Sequence, residues 1–214
     1  MKKAFLSFAL SLFAVSGFSQ AMTPVKIDSL VTVSMPSGYQ EKDTTGRQVY
    51  AVNGSFGYII VIREPNAKNN TPLKKEKDLN KVLKDYIKGI EGQVANGSAQ
   101  NVRDTTVGAL KAKTFTLKSD NSGDIEYRKF VLLHTQEVTY TFEYVYPDNR
   151  KDLVKDELKA FVSSIKLSPE LQRNDQYLSN AKGLSSAQMA IIGGGGVLVF
   201  IVIIVLVRRK RVKS

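Results

Sequence analysis

The chain has 214 residues, of which 43% are hydrophobic and 24% charged, and it contains no cysteine. This length suits one modest domain with additional segments, and the lack of cysteine excludes disulfides, thiol chemistry, Cys-based zinc sites and a lipoprotein acylated on an N-terminal cysteine. The formal net charge is +11, but seven cations lie at the two ends, which leaves 24 Lys and Arg against 20 Asp and Glu. The remaining +4 is ordinary for a domain, so no nucleic-acid partner is expected.

Residues 1–19 are predicted to be a secretory signal peptide. Two lysines precede a short apolar stretch that ends in small residues, which is the usual layout of such a signal. Cleavage after Ser19 is favoured, and cleavage after Ala21 fits as well. The apolar stretch is too short for a comfortable membrane span, so an uncleaved anchor is the less favoured alternative.

Residues 20–167 are predicted to form one α+β domain, in which a twisted antiparallel sheet packs with two amphipathic helices. A strand is expected over 24–35, stopped by Pro36, and a loop over 37–47. A hairpin follows, with a two-residue turn at Asn53-Gly54, because this dipeptide accommodates the positive φ values of such turns.

A helix with one apolar stripe is predicted after Thr71 as N-cap and Pro72 in the first turn, ending at Asn96-Gly97. Its other face is rich in lysine, with Lys74, Lys75, Lys77, Lys81, Lys84 and Lys88. The favoured interpretation is a solvated face in which Glu76, Asp78, Asp85 and Glu91 alternate with the lysines. A basic face for an anionic partner, such as phospholipid head groups, is the alternative.

Three further strands are predicted from ALKAKTFTLK, DIEYRKFVLLH and VTYTFEYVY. In the last of these, alternation places four aromatic side chains on one face, which we interpret as sheet core: Tyr140, Phe142, Tyr144 and Tyr146. A second helix is expected to begin near Asp148 and to end before Pro169, with an apolar stripe of Val154, Leu158, Phe161, Val162 and Ile165.

No catalytic constellation is recognisable, and the chain is predicted not to be an enzyme and to use no cofactor. His134 is the only histidine, and beside a hairpin turn it is expected to lie on the surface. Asp120, Asp124 and Glu126 place alternate oxygens in a loop and are candidates for calcium ligands. The same residue types also build hairpin turns, which is the favoured interpretation.

Residues 168–188 are predicted to be a flexible tether, and 189–207 a transmembrane helix. A helix of nineteen uncharged residues spans roughly 28 Å, close to the hydrocarbon core of a bilayer. Arg208, Arg209, Lys210 and Arg211 begin a basic tail, 208–214, which the positive-inside rule places in the cytoplasm. The anchor itself runs from Met189 through Val197 and Phe200 to Val207.

The four glycines at the start of the anchor allow three interpretations. The favoured one is a flexible lead-in at the outer boundary of the membrane. Ser186, Ala190 and Gly194 recur every four residues, which would suit helix pairing in a homodimer. A glycine-rich membrane helix followed by cations also resembles sorting tails that a protease removes from processed surface proteins.

The middle of the chain resembles the PsbP-like superfamily, which includes DcrB-type envelope proteins. The residues that carry the resemblance are VTVSMPSGYQ, TTVGALKAKTFTL, YRKFVLLHTQEVTYTFEYV and FVSSIKL, and together they cover most of 25–167. The chain departs from the pattern in having Tyr39 where a tryptophan often follows the opening Pro-Gly, and in the added membrane helix. The resemblance implies a scaffold for binding or assembly.

The sequence therefore predicts a single-pass protein of the cytoplasmic membrane, with its domain on the extracytoplasmic side of a bacterial envelope. The expected function is to bind or assemble with a protein partner through the exposed face of the sheet or loops such as 36–47. The alternatives are an enzyme or calcium-dependent subunit of the envelope, and a processed surface protein.

Overall fold

The computed structural model describes residues 21–44, 46–67 and 71–179. The predicted signal peptide, the transmembrane helix and the basic tail lie outside these residues. Within the three described ranges, no helix is both long enough and apolar enough to cross a membrane.

The described chain contains ten strands and two α-helices, α1 (Glu76–Gln93) and α2 (Lys155–Ser163). Seven antiparallel strands form a main sheet in the order β3-β4-β5-β9-β8-β7-β6, and three form a small sheet in the order β1-β2-β10. The strands are β1 (Met22–Lys26), β2 (Val31–Pro36), β3 (Gln40–Thr44), β4 (Arg47–Asn53), β5 (Tyr58–Pro65), β6 (Ser98–Val107), β7 (Leu110–Asn121), β8 (Asp124–His134), β9 (Val138–Pro147) and β10 (Lys166–Leu167).

The first predicted strand, 24–35, is in fact a hairpin of β1 and β2. Asp28 breaks it, because its Oδ1 atom accepts hydrogen bonds from the backbone N–H groups of Leu30 (2.8 Å) and Val31 (2.9 Å). Such a side-chain turn competes with continued strand pairing. The loop predicted over 37–47 is also wrong in part, since it contains edge strand β3.

The predicted hairpin of β4 and β5 is confirmed, but its two-residue turn at Asn53-Gly54 is wrong. Asn53 is the last paired residue of β4 and faces Tyr58, so residues 54–57 form the loop. The loop is closed by a hydrogen bond from Gly54 N–H to the carbonyl of Gly57 (2.8 Å). Gly57 packs so closely on β9 that an added Cβ would lie 2.4 Å from the Tyr144 ring.

Both helices begin later than predicted. Helix α1 begins after Lys75, whose backbone N–H donates to Asp78 Oδ2 (3.0 Å), and not after Thr71. Residues 148–150, where the second helix was expected to start, form a short 3₁₀ turn that precedes α2.

The domain has three layers, with the main sheet in the middle. The face of β9 that carries Tyr140, Phe142 and Tyr144 is fully buried under the small sheet and α2, which confirms the predicted aromatic core. Helix α1 covers part of the opposite face and forms a second, smaller core there. The fold is thus α+β with a large antiparallel sheet and two helices, to which the small second sheet is an addition.

The folded domain continues past residue 167, where the tether was predicted to begin. Leu171 and Tyr177 are buried, and Gln176 is fully buried between the start of β7 and the end of β8. Its side chain donates to the carbonyls of Lys111 and His134 (both 2.8 Å) and accepts from Lys111 N–H (2.8 Å). Residues 168–179 are therefore part of the domain.

Candidate functional site: the open half of the main sheet

Helix α1 covers only one half of its face of the main sheet. Its apolar side packs on strands β7 and β8, and the buried cluster consists of Leu79, Leu83, Ile87, Phe115, Leu117, Phe130, Leu132 and Tyr177. The period of three and four in α1 matches this single stripe. On the same face, the half built by β3, β4 and β5 contributes no residue to this buried cluster. We call it the open half-sheet.

The open half-sheet presents apolar side chains that are only partly buried. Val49, Ala51 and Ile62 line a shallow depression of about 390 Å³, and Tyr58 at its rim is 38% exposed. Cross-strand register places Val49 directly opposite Ile62. Alternate residues of these strands face the other side of the sheet and fill the core there. The outward-facing apolar side chains are therefore not part of that core. This outward apolar surface is available for contact with another molecule.

A groove of about 410 Å³ separates the open half-sheet from α1. Ile62 and Phe130 contribute apolar surface from the sheet, Ile90 contributes it from α1, and Val94 contributes it from the C-cap of that helix. Ile62 also lines the neighbouring depression, so the two form one continuous surface. An apolar lining with a few polar groups at fixed positions is typical of binding sites.

One polar network fixes the rim of the groove. Arg47 Nε donates to Glu64 Oε1 (2.7 Å), and the Tyr86 hydroxyl of α1 donates to Glu64 Oε2 (3.0 Å). The Thr141 hydroxyl lies 3.4 Å from the Tyr86 oxygen. Burial raises the pKa of Tyr86, and the nearby Glu64 charge adds to the rise although Thr141 opposes it. Tyr86 therefore stays protonated and holds the helix to the sheet.

A second network lies on the floor of the groove. Arg128 links Glu126 (Nε to Oε1, 2.8 Å) and the buried Glu143 (3.2 Å). Burial raises the pKa of Glu143, Arg128 opposes this and Glu126 adds to it. A buried carboxyl group in a groove is a common feature of functional sites. Its sequence signal is a single acid between the aromatic residues of β9.

The groove provides binding chemistry, and two of its three acids are paired, whereas the third, Asp85 of α1, is exposed. Glu64 and Glu143 both pair with arginine, and Tyr86 is held as a hydrogen-bond donor. In the described ranges, no three His, Asp or Glu residues are placed to hold a metal ion. The arrangement is suited to receiving apolar side chains between two fixed charged pairs.

The calcium candidates lie at the hairpin turn between β7 and β8, far along the sheet. Asp120 Oδ1 accepts from Gly123 N–H (3.0 Å), and Ser122 and Gly123 both have positive φ, as a tight two-residue turn requires. Asp124 begins β8. The Glu126 carboxylate forms an ion pair with Arg128. The structure thus uses these residues for the turn and for the second network.

His134 is buried, so the prediction that it lies on the surface is wrong. Its Nδ1 atom lies 2.7 Å from the Thr139 hydroxyl, which donates to Asn66 Oδ1 (2.8 Å). The Asn66 amide donates to the carbonyls of Thr135 and Gln136, which fixes Oδ1 as the acceptor. Nδ1 must therefore carry the imidazole proton. Burial lowers the pKa of His134.

Two other carboxylates, the partly buried Asp28 and the buried Glu157, connect distant elements. Burial alone would raise the pKa of Asp28, but hydrogen bonds from Tyr140, Arg63 and two backbone amides hold it below its usual value. Glu157 of α2 accepts from the backbone N–H groups of Ser55 (2.8 Å) and Phe56 (3.0 Å) and from the Tyr144 hydroxyl (2.7 Å). Both carboxylates are fully used by the fold.

The remaining predicted site residues lie outside the described residues. These are the anchor residues 189–207, the cations from Arg208 to Arg211, and the small residues Ser186, Ala190 and Gly194. The predicted anchor, orientation and homodimer contact stay predictions.

The described chain is thus an α+β domain whose main sheet is half open on one face. No protein-family model matches the chain, and no curated protein matches its sequence. Among solved structures, it is similar to LpqN of Mycobacterium tuberculosis, a protein involved in cell envelope biogenesis, with 15% identity and a TM-score of 0.46 over 75% of this chain and 97% of LpqN.

It is also similar to the cyanobacterial PsbP of Synechocystis sp. PCC 6803, with 17% identity and a TM-score of 0.48 over 72% of this chain and 96% of that one. A protein of unknown function from Pseudomonas aeruginosa matches with 10% identity and a TM-score of 0.45 over 71% and 99%. Since all three TM-scores lie below 0.5, the fold class given above rests on the strand order of this chain. Membership of the PsbP-like superfamily stays a prediction.

Proposed function

We propose that the chain is a binding or assembly module of the bacterial envelope, anchored in the cytoplasmic membrane with its domain outside. The open half-sheet is the surface that receives a protein partner. The predicted signal peptide and the apolar run at 189–207 support the location. The observation that carries the binding role is the continuous apolar surface of the open half-sheet and the groove beside α1.

The partner is a protein segment that presents apolar side chains. Val49 and Ile62 offer partly buried apolar surface, while Arg47 and Glu64 fix a charged pair at the rim. The two depressions, of about 390 and 410 Å³, can together accommodate several side chains of such a segment. Anchoring confines the domain near the membrane and raises its effective concentration for partners there.

The proposal is tested by site-specific photo-crosslinking of the full chain in the cells that produce it. A photoreactive residue at position 49 should give one discrete adduct with another envelope protein. A second substitution, Ile62→Lys, should abolish that adduct, because a cation replaces apolar surface at the centre of the site. Val102→Lys is the matched control, since Val102 is 46% exposed on edge strand β6.

Three outcomes would overturn the proposal. One is the absence of any adduct from position 49, and another is an adduct that survives Ile62→Lys. The third is an adduct of this chain with itself, which would replace the protein partner with self-association. A photoreactive residue at exposed Lys159 of α2 should give no adduct of the same mass.

A further inference from the structure

Four lysines form one straight stripe along α1. Lys77, Lys81, Lys84 and Lys88 follow each other at steps of four, three and four, which places them on one side of a helix. All four are exposed, whereas Leu79, Leu83 and Ile87 of the same helix are buried against the sheet. The stripe faces away from the sheet and is about 16 Å long.

Three of the four acids of α1 are engaged elsewhere. Glu76 pairs with Lys111 of β7, Asp78 accepts from the N–H group of Lys75, and Glu91 accepts from the N–H group of Ala99 (2.9 Å). The fourth acid, Asp85, is exposed. None of the ion pairs formed among the described residues includes a lysine of the stripe. The sequence alone allowed a face of alternating charge, but the structure leaves a cationic one.

The last described residues lie beside the same helix. Leu178 N–H donates to the carbonyl of Leu73 (3.0 Å), and Ser179 N–H donates to that of Lys74 (2.9 Å). Ser179, the last described residue, thus lies at the N-terminal end of α1, close to where the stripe begins. Nine residues lie between Ser179 and Met189, the start of the predicted anchor, and this connection can span at most about 35 Å.

We propose that the lysine stripe of α1 docks on anionic phospholipid head groups of the membrane that holds the anchor. This rests on the proposed function, which supplies the anchor at 189–207. A short connection that starts beside the stripe keeps the stripe within reach of the bilayer surface. Each lysine near an anionic leaflet strengthens binding roughly fivefold, and salt weakens the effect. Docking would orient the domain instead of leaving it free on its tether.

The test uses the full chain reconstituted in nanodiscs of phosphatidylcholine alone or mixed with phosphatidylglycerol. Lysines are acetylated with an amine-reactive ester, and the rate at each site is read by mass spectrometry. In the anionic discs, acetylation of Lys77, Lys81, Lys84 and Lys88 should slow several-fold, and high salt should restore it. Lys26, Lys42, Lys159 and Lys166, exposed on other elements, should react equally in both.

Energy transfer between the domain and the lipid gives a second test, in which variants are compared. Because the chain has no cysteine, Ser163→Cys on α2 allows a single dye whose energy transfer to labelled lipid reports the distance from the bilayer. Transfer should differ between the two disc types. Replacing the four stripe lysines by Gln should remove the difference, whereas replacing Lys26, Lys42, Lys159 and Lys166 by Gln, an equal change in charge, should preserve it.

The outcomes separate this inference from the proposed function. If the chain enters both disc types but the stripe is acetylated equally in both, lipid docking is wrong and the anchored module stands. If the chain does not enter discs of either kind, the anchor is wrong and the docking falls with it. Protection of the stripe in phosphatidylcholine alone would also contradict the inference, because the contact would then not depend on anionic lipid.

Discussion

Among single residues, Glu157 joins three distant parts of the fold. Its carboxylate joins α2 to the loop between β4 and β5, about 100 positions earlier in the chain, and to the Tyr144 hydroxyl of β9. A buried carboxylate that accepts three hydrogen bonds is expected to contribute strongly, since its loss leaves three donors without a partner. Burial and the Glu157 charge together raise the pKa of Tyr144, so this tyrosine remains a donor.

Replacing Glu157 by Gln should lower the free energy of unfolding by about 3 kcal/mol. The amide can accept at only one of the two positions and turns a donor toward groups that are themselves donors. Urea denaturation of the variant and the wild type measures the difference. Glu137→Gln, at an exposed turn, is the control and should change stability little. Equal stabilities of E157Q and wild type would contradict the assigned role.

His134 predicts a pH dependence of stability. Burial lowers its pKa in the folded state, while the unfolded chain retains a value near 6.5. As the pH falls below about 6.5, the unfolded state takes up a proton that the folded state resists, so stability declines. Above that pH, both states hold a neutral imidazole and the contribution is complete.

Denaturation midpoints between about pH 7.5 and 5.5 should therefore fall more steeply for the wild type than for His134→Gln. Asp28 loses its stabilising contribution only at lower pH, because its pKa lies below 3.8 when folded. Glu143 acts in the opposite direction, since its raised pKa makes ionisation unfavourable for the fold as the pH rises above 4.5. Parallel curves for both proteins would show that His134 does not titrate within this window.

At the scale of elements, we expect substitutions of two glycines to change the free energy of unfolding in opposite directions. Gly89 lies inside α1, and a Cβ there would meet nothing within 4 Å, whereas a Cβ at Gly57 would collide with the Tyr144 ring and the Val145 carbonyl. Gly89→Ala should therefore raise the free energy of unfolding by about 0.5–1 kcal/mol through better helix propensity. Gly57→Ala should lower it by about 1–3 kcal/mol. Thermal unfolding of both variants measures the contrast, which would fail if both shifted in the same direction.

The elements that could be predicted from the sequence are those with a clear apolar period. Helix α1, the hairpin of β4 and β5, and β7 have buried residues at regular spacing. Strands β8 and β9 contain continuous runs of buried residues, and they could be predicted from their many apolar and aromatic residues instead. Strand β6 was missed because it is an edge strand whose residues are mostly exposed, so no apolar alternation marks it. A bulge between Gln100 and Arg103 interrupts its period further.

The candidate site could be predicted only in outline. An exposed sheet face was expected, but no local pattern shows that α1 covers one half of the sheet and leaves the other open. That division depends on the strand order, in which β5 pairs with β9, and strand order is a long-range property. Likewise, the pairing of Glu143 with Arg128 follows from cross-strand register and has no signature in the sequence.

At the scale of the whole molecule, the C-terminal segment closes the domain. The Gln176 side chain forms hydrogen bonds with backbone groups of Lys111 in β7 and His134 in β8. Gln176→Ala would leave these backbone groups buried without partners and should lower the free energy of unfolding by about 2–4 kcal/mol. Gln100→Ala on exposed β6 is the control. Chemical denaturation measures both, and equal midpoints would place residues 168–179 outside the cooperative unit.

The pairing of β5 with β9 also determines the order in which the molecule can be completed. Pro65 pairs with Val138 and Tyr58 with Val145, so the partners are 73 to 87 positions apart. Closing so long a loop is slow compared with forming hairpins. As the chain is synthesised from its N-terminus, β3 to β5 are made before β9, the strand with which β5 pairs. During that interval the edge of β5 is unpaired and open to wrong partners. We expect folding yield, more than final stability, to depend on how quickly β5 pairs with β9.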